Sequence, residues 1–173
     1  MRRVRLHASL IGGALLLLPA CRSPDAVEEP LAIMEATING TSWQAEYVFG
    51  DYDTATGLLW VTGSRQNATG DTVRAIDLGG LPITGPATVQ LGGSPPWGEV
   101  RDNVDYSSPV RYWLTTDSIN GAATVTEFDL ATRRCSGTFS FAALLAGVRD
   151  GQVTPDTIRV TSGSWTVKFV IVP

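Results

Sequence analysis

The chain has 173 residues, of which 13 are basic and 17 acidic, so its net charge is −4. An acidic chain lacks the basic surface that nucleic-acid phosphates require, which argues against a nucleic-acid partner. The length suits one domain with a sizeable core, and one histidine with two cysteines leaves few residues for nucleophilic or metal chemistry.

The N-terminus has the residue order of a bacterial lipoprotein signal peptide. Three arginines and no acid occupy residues 1–7, and an uncharged apolar segment follows over residues 8–18. That segment is shorter than the roughly 20 residues that a membrane-spanning helix needs. Residues 18–21, LPAC, resemble the lipobox, in which the cysteine receives a diacylglycerol and becomes the new N-terminus. The alternative is an ordinary cleaved signal in which Cys21 happens to follow an alanine.

Cleavage before Cys21 changes the chemistry of the mature chain. It removes three arginines, which leaves ten basic and seventeen acidic residues and a net charge of −7. It also removes His7, the sole histidine, so no histidine base or Ser-His-Asp triad remains. Once Cys21 is lipidated, Cys135 is the one remaining thiol and no internal disulfide forms. The sequence has no cofactor or metal motif, and we expect a protein that is not an enzyme.

Residues 21–32 are predicted to be the lipidated cysteine and a flexible tether. The stretch RSPDAVEEPL is polar, acidic and bounded by prolines, and ten extended residues span on the order of 33 Å. Membrane lipid, held through acylated Cys21, is therefore an expected partner. Arg22, in place of an aspartate after the cysteine, favours the outer membrane as the destination within the bacterial cell envelope.

Residues 33–173 are predicted to form one all-β domain, an antiparallel β-sandwich or flattened barrel of about ten short strands. Alternating runs are separated by glycine and proline, and no segment has sustained helical periodicity. Asn-Gly pairs at 39–40 and 120–121 predict two hairpins. The predicted strands are 33–38, 41–49, 58–63, 72–78, 87–91, 110–116, 123–130, 135–143, 157–161 and 165–172.

Strand alternation also predicts buried side chains. Trp43, Tyr47 and Trp165 fall on apolar faces and are assigned to the core. Cys135 shares a face with two phenylalanines in the run CSGTFSF, which predicts a buried, unreactive thiol.

Several of these strand patterns resemble those of one known family. The runs TVTEFD at 124–129, SGTFSF at 136–141 and VTSGSW at 160–165 carry the resemblance, and ATINGTSWQA at 36–45 looks like the family's first hairpin. The chain is similar to an uncharacterised family of bacterial all-β lipoproteins, classed as a domain of unknown function. The resemblance implies the fold and the lipid anchor, and it carries no activity or catalytic residues.

A long predicted loop, residues 92–109, is the candidate ligand site, because it is too long for a simple turn. It brings together Trp97, Arg101 and Tyr106. Trp113 follows on the next strand, where alternation allows it to face outward. Aromatic faces and a guanidinium suit a glycan or an extended peptide. The alternative is that Trp97 folds back as a loop plug and Trp113 faces a second sheet.

The sequence leaves three functions open. The main prediction is a non-catalytic binding or structural domain in the cell envelope. A calycin-like carrier of a small apolar ligand is the alternative, although bulky inward residues such as Phe169 favour a filled interior. A carboxylate-dependent hydrolase using two of Glu99, Asp102 and Asp105 is the second alternative.

Cys21 is expected to carry the membrane anchor. Mass spectrometry of protein purified from bacterial membranes should show an acylated N-terminal peptide that begins at Cys21, because two or more acyl chains hold a protein stably on a bilayer. Cys21→Ala should abolish acylation and membrane retention, whereas the matched variant Cys135→Ala should keep both. A soluble mature protein with a free Cys21 thiol would contradict the anchor.

Overall fold

The structure is a computed structural model that describes residues 32–70, 72–105, 108–148 and 156–173, and it confirms the all-β class. The predicted signal peptide, Cys21 and most of the tether lie outside these residues. No helix in the described ranges is long and apolar enough to span a membrane. The strands are β1 Ile33–Ile38, β2 Thr41–Gln44, β3 Tyr47–Asp53, β4 Leu58–Gln66, β5 Thr72–Pro82, β6 Ala87–Leu91, β7 Trp97–Asp105, β8 Ser108–Leu114, β9 Gly121–Asp129, β10 Arg134–Val148 and β11 Thr157–Val172.

The eleven strands form one mixed sheet whose hydrogen-bond ladder closes on itself. The circuit runs β3-β4-β5-β7-β8-β10-β11 and returns to β3. Two pairs of strands extend from it, β1 with β2 from β11 and β9 with β6 from β10. The result agrees with the predicted sandwich or flattened barrel.

One pairing is parallel, between β3 and β11, and the other pairings of the described sheet are antiparallel. The direction follows from the chain path. β2 is antiparallel to β1, and β1 is antiparallel to β11, so β2 runs in the direction of β11. β3 continues that direction after a two-residue break and joins β11 beyond the end of β1.

Two long strands, β10 and β11, divide the ladder into two walls. Residues 160–166 of β11 pair with β1 and residues 169–172 pair with β3. Residues 134–141 of β10 pair with β9, and residues 144–148 pair with β8. We call β3, β4, β5, β7 and β8 the five-strand wall, and β2, β1, β11, β10, β9 and β6 the six-strand wall.

The prediction of short strands is wrong at the C-terminus, where 157–161 and 165–172 belong to one strand of 16 residues. Ser162 and Gly163 suggest a turn in the sequence. In the structure Ser162 does adopt a positive φ of 51°, but β11 continues through it as an irregularity in the ladder.

The Asn-Gly pair at 39–40 makes the predicted hairpin, whereas the pair at 120–121 does not. Asn39 and Gly40 have φ values of 48° and 82°, the left-handed conformation of a tight hairpin turn. Gly121 instead starts β9, and a Cβ there would overlap the backbone of β10. β8 pairs with β7 and β10, and β9 pairs with β10 and β6, so the predicted hairpin between them is wrong.

The core fills the space between the walls with side chains from both of them. Phe169, Tyr52 and Phe128 form an aromatic group with ring centroids 5.1–5.6 Å apart, and Phe139 packs against Trp165 at 5.9 Å. The fully buried members by volume are Trp113, Phe169, Met34, Leu59, Ile76, Leu78, Leu81, Ile83, Leu91, Val61, Val100 and Val125.

Three of the four specific core assignments hold. Trp43, Trp165 and Cys135 are buried, and burial raises the pKa of the Cys135 thiol to about 11. Tyr47 is 54% exposed, so its assignment to the core is wrong. The strand is interrupted at residues 45–46, where the chain crosses to the other wall. The inward–outward alternation restarts in β3 with Tyr47 on the outer face.

Gly137→Ala should destabilise the fold, because a Cβ there overlaps the Thr124 carbonyl oxygen and the Trp165 indole. We expect the free energy of unfolding to fall by about 2 kcal/mol. Gly85→Ala is the matched control, since its Cβ meets no atom within 4 Å, and its effect should be near zero. Urea unfolding at equal m-values measures both, and equal losses in the two variants would contradict the close packing at Gly137.

Candidate functional site

Trp97 opens β7 and is not part of a loop. Of the predicted loop 92–109, residues 97–105 form β7 and residues 108–109 begin β8, which pairs antiparallel with β7. One inward position of β7 is occupied by the charged residue Asp102. This charge hides the alternation of apolar and polar residues by which a strand is recognised in the sequence. Trp97 is half-buried and pairs with Gly79 of β5, and a Cβ at Gly79 would overlap the indole ring. The indole therefore covers the glycine of the neighbouring strand.

Arg101 lies on the same face of β7 and is held by Asp77 of β5. Its Nε donates to Asp77 Oδ2 at 2.8 Å and its Nη2 donates to Oδ1 at 2.7 Å. This two-point contact fixes the plane of the guanidinium.

Trp113 is 2% exposed, so the option of an outward Trp113 is wrong and the alternative, a residue facing the opposite wall, is correct. The register pairs it with Val100, which is also buried. Its neighbour Thr115 misleads the sequence argument, because this polar residue is fully buried. Its hydroxyl donates to the Gly92 carbonyl at 2.5 Å and accepts from the Gly98 N–H at 3.0 Å.

The four predicted site residues therefore do not form one site. Trp97 and Arg101 share the outer face of the five-strand wall, and Trp113 lies on the inner face. Tyr106 lies outside the described residues.

The outer face of the five-strand wall carries aromatic residues that the predicted site did not include. Tyr47 and Phe49 of β3 are 54% and 53% exposed, and Trp60 of β4 and Trp97 of β7 are partly exposed. Register places the two tryptophans on either side of Gly79 of β5. We call Tyr47, Phe49, Trp60 and Trp97 the outer aromatic face.

A polar cluster lies among these rings. Four strands contribute in a cross-strand row, Phe49, Thr62, Asp77 and Glu99. Thr62 Oγ1 donates to Asp77 Oδ1 at 2.6 Å, and Arg101 Nε lies 3.5 Å from Glu99 Oε1. We call Thr62, Asp77, Glu99 and Arg101 the outer polar cluster.

Both acids of the outer polar cluster have raised pKa values. Burial raises the pKa of Asp77, and the Arg101 guanidinium and the hydrogen bonds oppose the rise. Burial is the largest cause that raises the pKa of Glu99, the nearby Asp77 charge also raises it, and Arg101 opposes the rise. The net pKa of Glu99 is about 7. At neutral pH the Glu99 carboxyl therefore exchanges between a hydrogen-bond donor and an anion.

The predicted acid pair for a hydrolase is not assembled from Glu99 and Asp102, because these residues lie three positions apart on β7 and therefore point to opposite faces. The Asp105 side chain lies outside what the structure describes. The cross-strand partner of Glu99 is Asp77, a residue that the sequence argument missed. An aspartate within the apolar run AIDLGG of β5 was the available signal, but the register with β7 is not visible in the sequence.

Comparison with known proteins gives no match to a family model, a curated protein or a solved structure. The resemblance to bacterial all-β lipoproteins therefore stays a prediction. Within the described residues, no three His, Cys, Asp or Glu side chains are grouped as metal ligands.

Glu99 should make stability depend on pH. The folded-state pKa of Glu99, about 7, lies above the ordinary value of 4.5. The stability that protonated Glu99 contributes to the fold is therefore complete below pH 4.5 and is lost as the pH rises through 7. Partial solvation reduces the full linkage of about 3 kcal/mol to about 1 kcal/mol. Between pH 5 and pH 8 the free energy of unfolding, measured with urea, should therefore fall by about 1 kcal/mol less in Glu99→Gln than in the parent. The exposed-acid control Glu127→Gln should follow the parent, and an unchanged slope in Glu99→Gln would contradict the shift.

Proposed function

We propose that this chain is a lipid-anchored lipoprotein of the bacterial cell envelope whose β-domain binds glycans, without catalysis, on the outer aromatic face. The observation that carries the proposal is the arrangement of Tyr47, Phe49, Trp60 and Trp97 around the partly buried outer polar cluster on one sheet face. Large exposed aromatics on a polar background are typical of recognition surfaces.

The chemistry of a sugar ring fits this face. A pyranose presents C–H groups on its faces, which stack on aromatic rings, and hydroxyls on its edge, which need donors and acceptors. Arg101 supplies donors, and Glu99 supplies an acceptor or a donor according to its protonation. Trp97 is held over Gly79, so a ligand does not have to order it, and the entropy cost of binding is smaller.

A glycan fits better than an extended peptide. Peptides that join a β-sheet form main-chain hydrogen bonds with a free strand edge. In the five-strand wall the backbone groups of β4, β5 and β7 are engaged on both edges by neighbouring strands. Recognition on this face must therefore use side chains, which suits hydroxyl groups and C–H faces.

The anchor and the filled interior are consistent with a display role. The lipobox resemblance at Cys21 and the acidic tether would hold the domain outside the bilayer. Large side chains fill most of the space between the walls in the described part of the chain, which leaves less room for the ligand of a calycin-like carrier. A surface ligand is therefore favoured over an enclosed apolar one.

A hydrolase is a second candidate because Asp77 and Glu99 face each other across β5 and β7, and Glu99 has the raised pKa of a general acid. Against it, Asp77 is 6% exposed and both of its carboxylate oxygens accept hydrogen bonds from Thr62 or Arg101. A carboxylate held in this way has little freedom to act as a nucleophile or base. The pair is better suited to orienting Arg101.

Trp97→Ala and Phe49→Ala should each weaken glycan binding roughly tenfold, because each removes a stacking surface. The measurement is a panel of envelope oligosaccharides, including peptidoglycan fragments, followed by calorimetry on the strongest binder. Leu130→Ala is the matched control, since Leu130 is 48% exposed on the β9–β10 turn, and it should bind as the parent does.

Unchanged binding in Trp97→Ala and Phe49→Ala would contradict the proposed face. Hydrolysis of any panel member that is lost in Glu99→Gln would instead establish the hydrolase.

A further inference from the structure

Acidic side chains lie beside both tryptophans of the outer aromatic face. Glu99 follows Trp97 by two residues on β7, so the two side chains share a face. Asp51 of β3 is the cross-strand partner of Trp60, and it points outward because its two chain neighbours on β3 are buried. Each tryptophan of this face therefore has a carboxylate next to it.

Arg101, the cation of the outer polar cluster, does not neutralise both of the cluster's acids. Asp77 accepts two hydrogen bonds from Arg101, at 2.7 and 2.8 Å, so these two groups cancel in charge. Glu99 lies 3.5 Å from Arg101 Nε, but this nitrogen donates its hydrogen to Asp77. The three groups together carry a charge of −1 when Glu99 is ionised, and Asp51 adds a second negative charge to the face.

The elements packed against β7 bring no other cation towards Glu99 in the part of the chain that the structure describes. Its partners in register are Asp77 of β5 and Leu114 of β8. The arginines of these two strands, Arg74 and Arg111, line the inner side of the wall. β6 and residues 141–148 of β10, which also approach β7, have no charged residue.

Two further groups on the outer side leave the negative charge at Glu99 in place. Tyr112 of β8 pairs with Arg101 and contributes a phenol ring. Lys168 of β11 points outward, but β3, β4 and β5 lie between β11 and β7. At the usual strand spacing this separation is about 19 Å, which exceeds the screening length of about 8 Å at physiological salt.

A cation suits the combination of ring and carboxylate. The face of a tryptophan ring attracts cations, and the attraction grows when the cation is partly desolvated. A carboxylate beside the ring adds a direct charge attraction. Trp97 is half-buried over Gly79 and the Glu99 side chain is 18% exposed, so an ammonium group between them loses part of its water. A neutral sugar gains the stacking contact without the charge attraction.

We propose that the glycan bound by the outer aromatic face carries free amino groups, and that its ammonium groups lie over Trp97 and Trp60 beside Glu99 and Asp51. This inference rests on the proposed function and names the substrate class, a hexosamine polymer that is not N-acetylated. Trp60 is on β4 and Trp97 is on β7, two strand spacings or roughly 10 Å apart. One short oligosaccharide can therefore contact both rings.

The protonation of Glu99 gives the sign of the pH dependence. The pKa of Glu99 is about 7, because burial and the Asp77 charge raise it more than Arg101 lowers it. A bound ammonium group favours the ionised carboxylate, so a ligand with a permanent positive charge binds more tightly as the pH rises. The ionised fraction of Glu99 increases about tenfold between pH 6 and pH 8, and this fraction sets the largest expected change in affinity.

The test is calorimetric titration of the full chain at pH 7 with a glucosamine tetramer, its N-acetylated form and tetralysine. The glucosamine tetramer should bind roughly tenfold more tightly than the N-acetylated form, whose nitrogens are uncharged. It should also bind more tightly than tetralysine, which has the charges without the pyranose faces. The N-trimethylated tetramer, whose charge does not change with pH, should bind more tightly at pH 8 than at pH 6.

Glu99→Gln should remove most of the preference for free amino groups and the pH dependence, and it should keep the weaker binding of the N-acetylated tetramer. The variant should fold, because glutamine has the size and neutrality of the protonated carboxyl. Glu127→Gln is the matched control, since Glu127 is an exposed acid on β9 of the six-strand wall, and it should keep both the preference and the pH dependence.

The outcomes separate this inference from the glycan proposal. If none of the tetramers and no other oligosaccharide binds, the proposed function fails and this inference fails with it. Equal binding of the glucosamine and N-acetylated tetramers would overturn this inference alone. Tetralysine that binds as tightly as the glucosamine tetramer, or a preference that survives in Glu99→Gln, would overturn it as well.

Discussion

The division of β10 and β11 between two sets of partners is the constraint on which the rest of the structure depends. These strands pair with each other, and each shares its second edge between two neighbours, which brings β8 and β3 into the same ladder. A strand that serves two walls has to bend, and register shifts in β10 near Phe139 and Leu145 supply the bend. Closure leaves β2 and β6, of four and five residues, as the edges of the described sheet, and short edges limit pairing with other chains.

The pairing of β5 with β7 holds two arginine–aspartate pairs, one on each face of the five-strand wall. Arg74 and Asp102 face each other on the inner side of the wall, and Asp77 lies beside Arg101 on the outer side. Each aspartate is largely buried and each is held by two hydrogen bonds from one guanidinium. Such pairs contribute little net stability, because desolvation offsets the attraction, but removal of one partner is costly. Their consequence here is to fix the orientation of two arginines, one on each side of the wall.

The outer aromatic face is open, broad and rich in rings, so it suits a ligand with many weak contacts. A lipid anchor at Cys21 would hold this face near a membrane. Because the polar cluster contains Glu99, with a pKa of about 7, the charge of the outer face changes near neutral pH.

Patterns local to the chain determined the strand class, the Asn39-Gly40 hairpin, and the burial of Cys135 and Trp165, because alternation and turn chemistry depend on neighbouring residues. The sequence also pointed to Trp97 and Arg101, which share a face, although as parts of a loop that proved to be a hairpin. Tertiary structure alone decided that Tyr47 is exposed, that Trp113 is buried, and that Asp77 meets Arg101. These outcomes depend on which strands become neighbours and in what register, and a charged residue such as Asp102 is compatible with the interior only when Arg74 of another strand lies beside it.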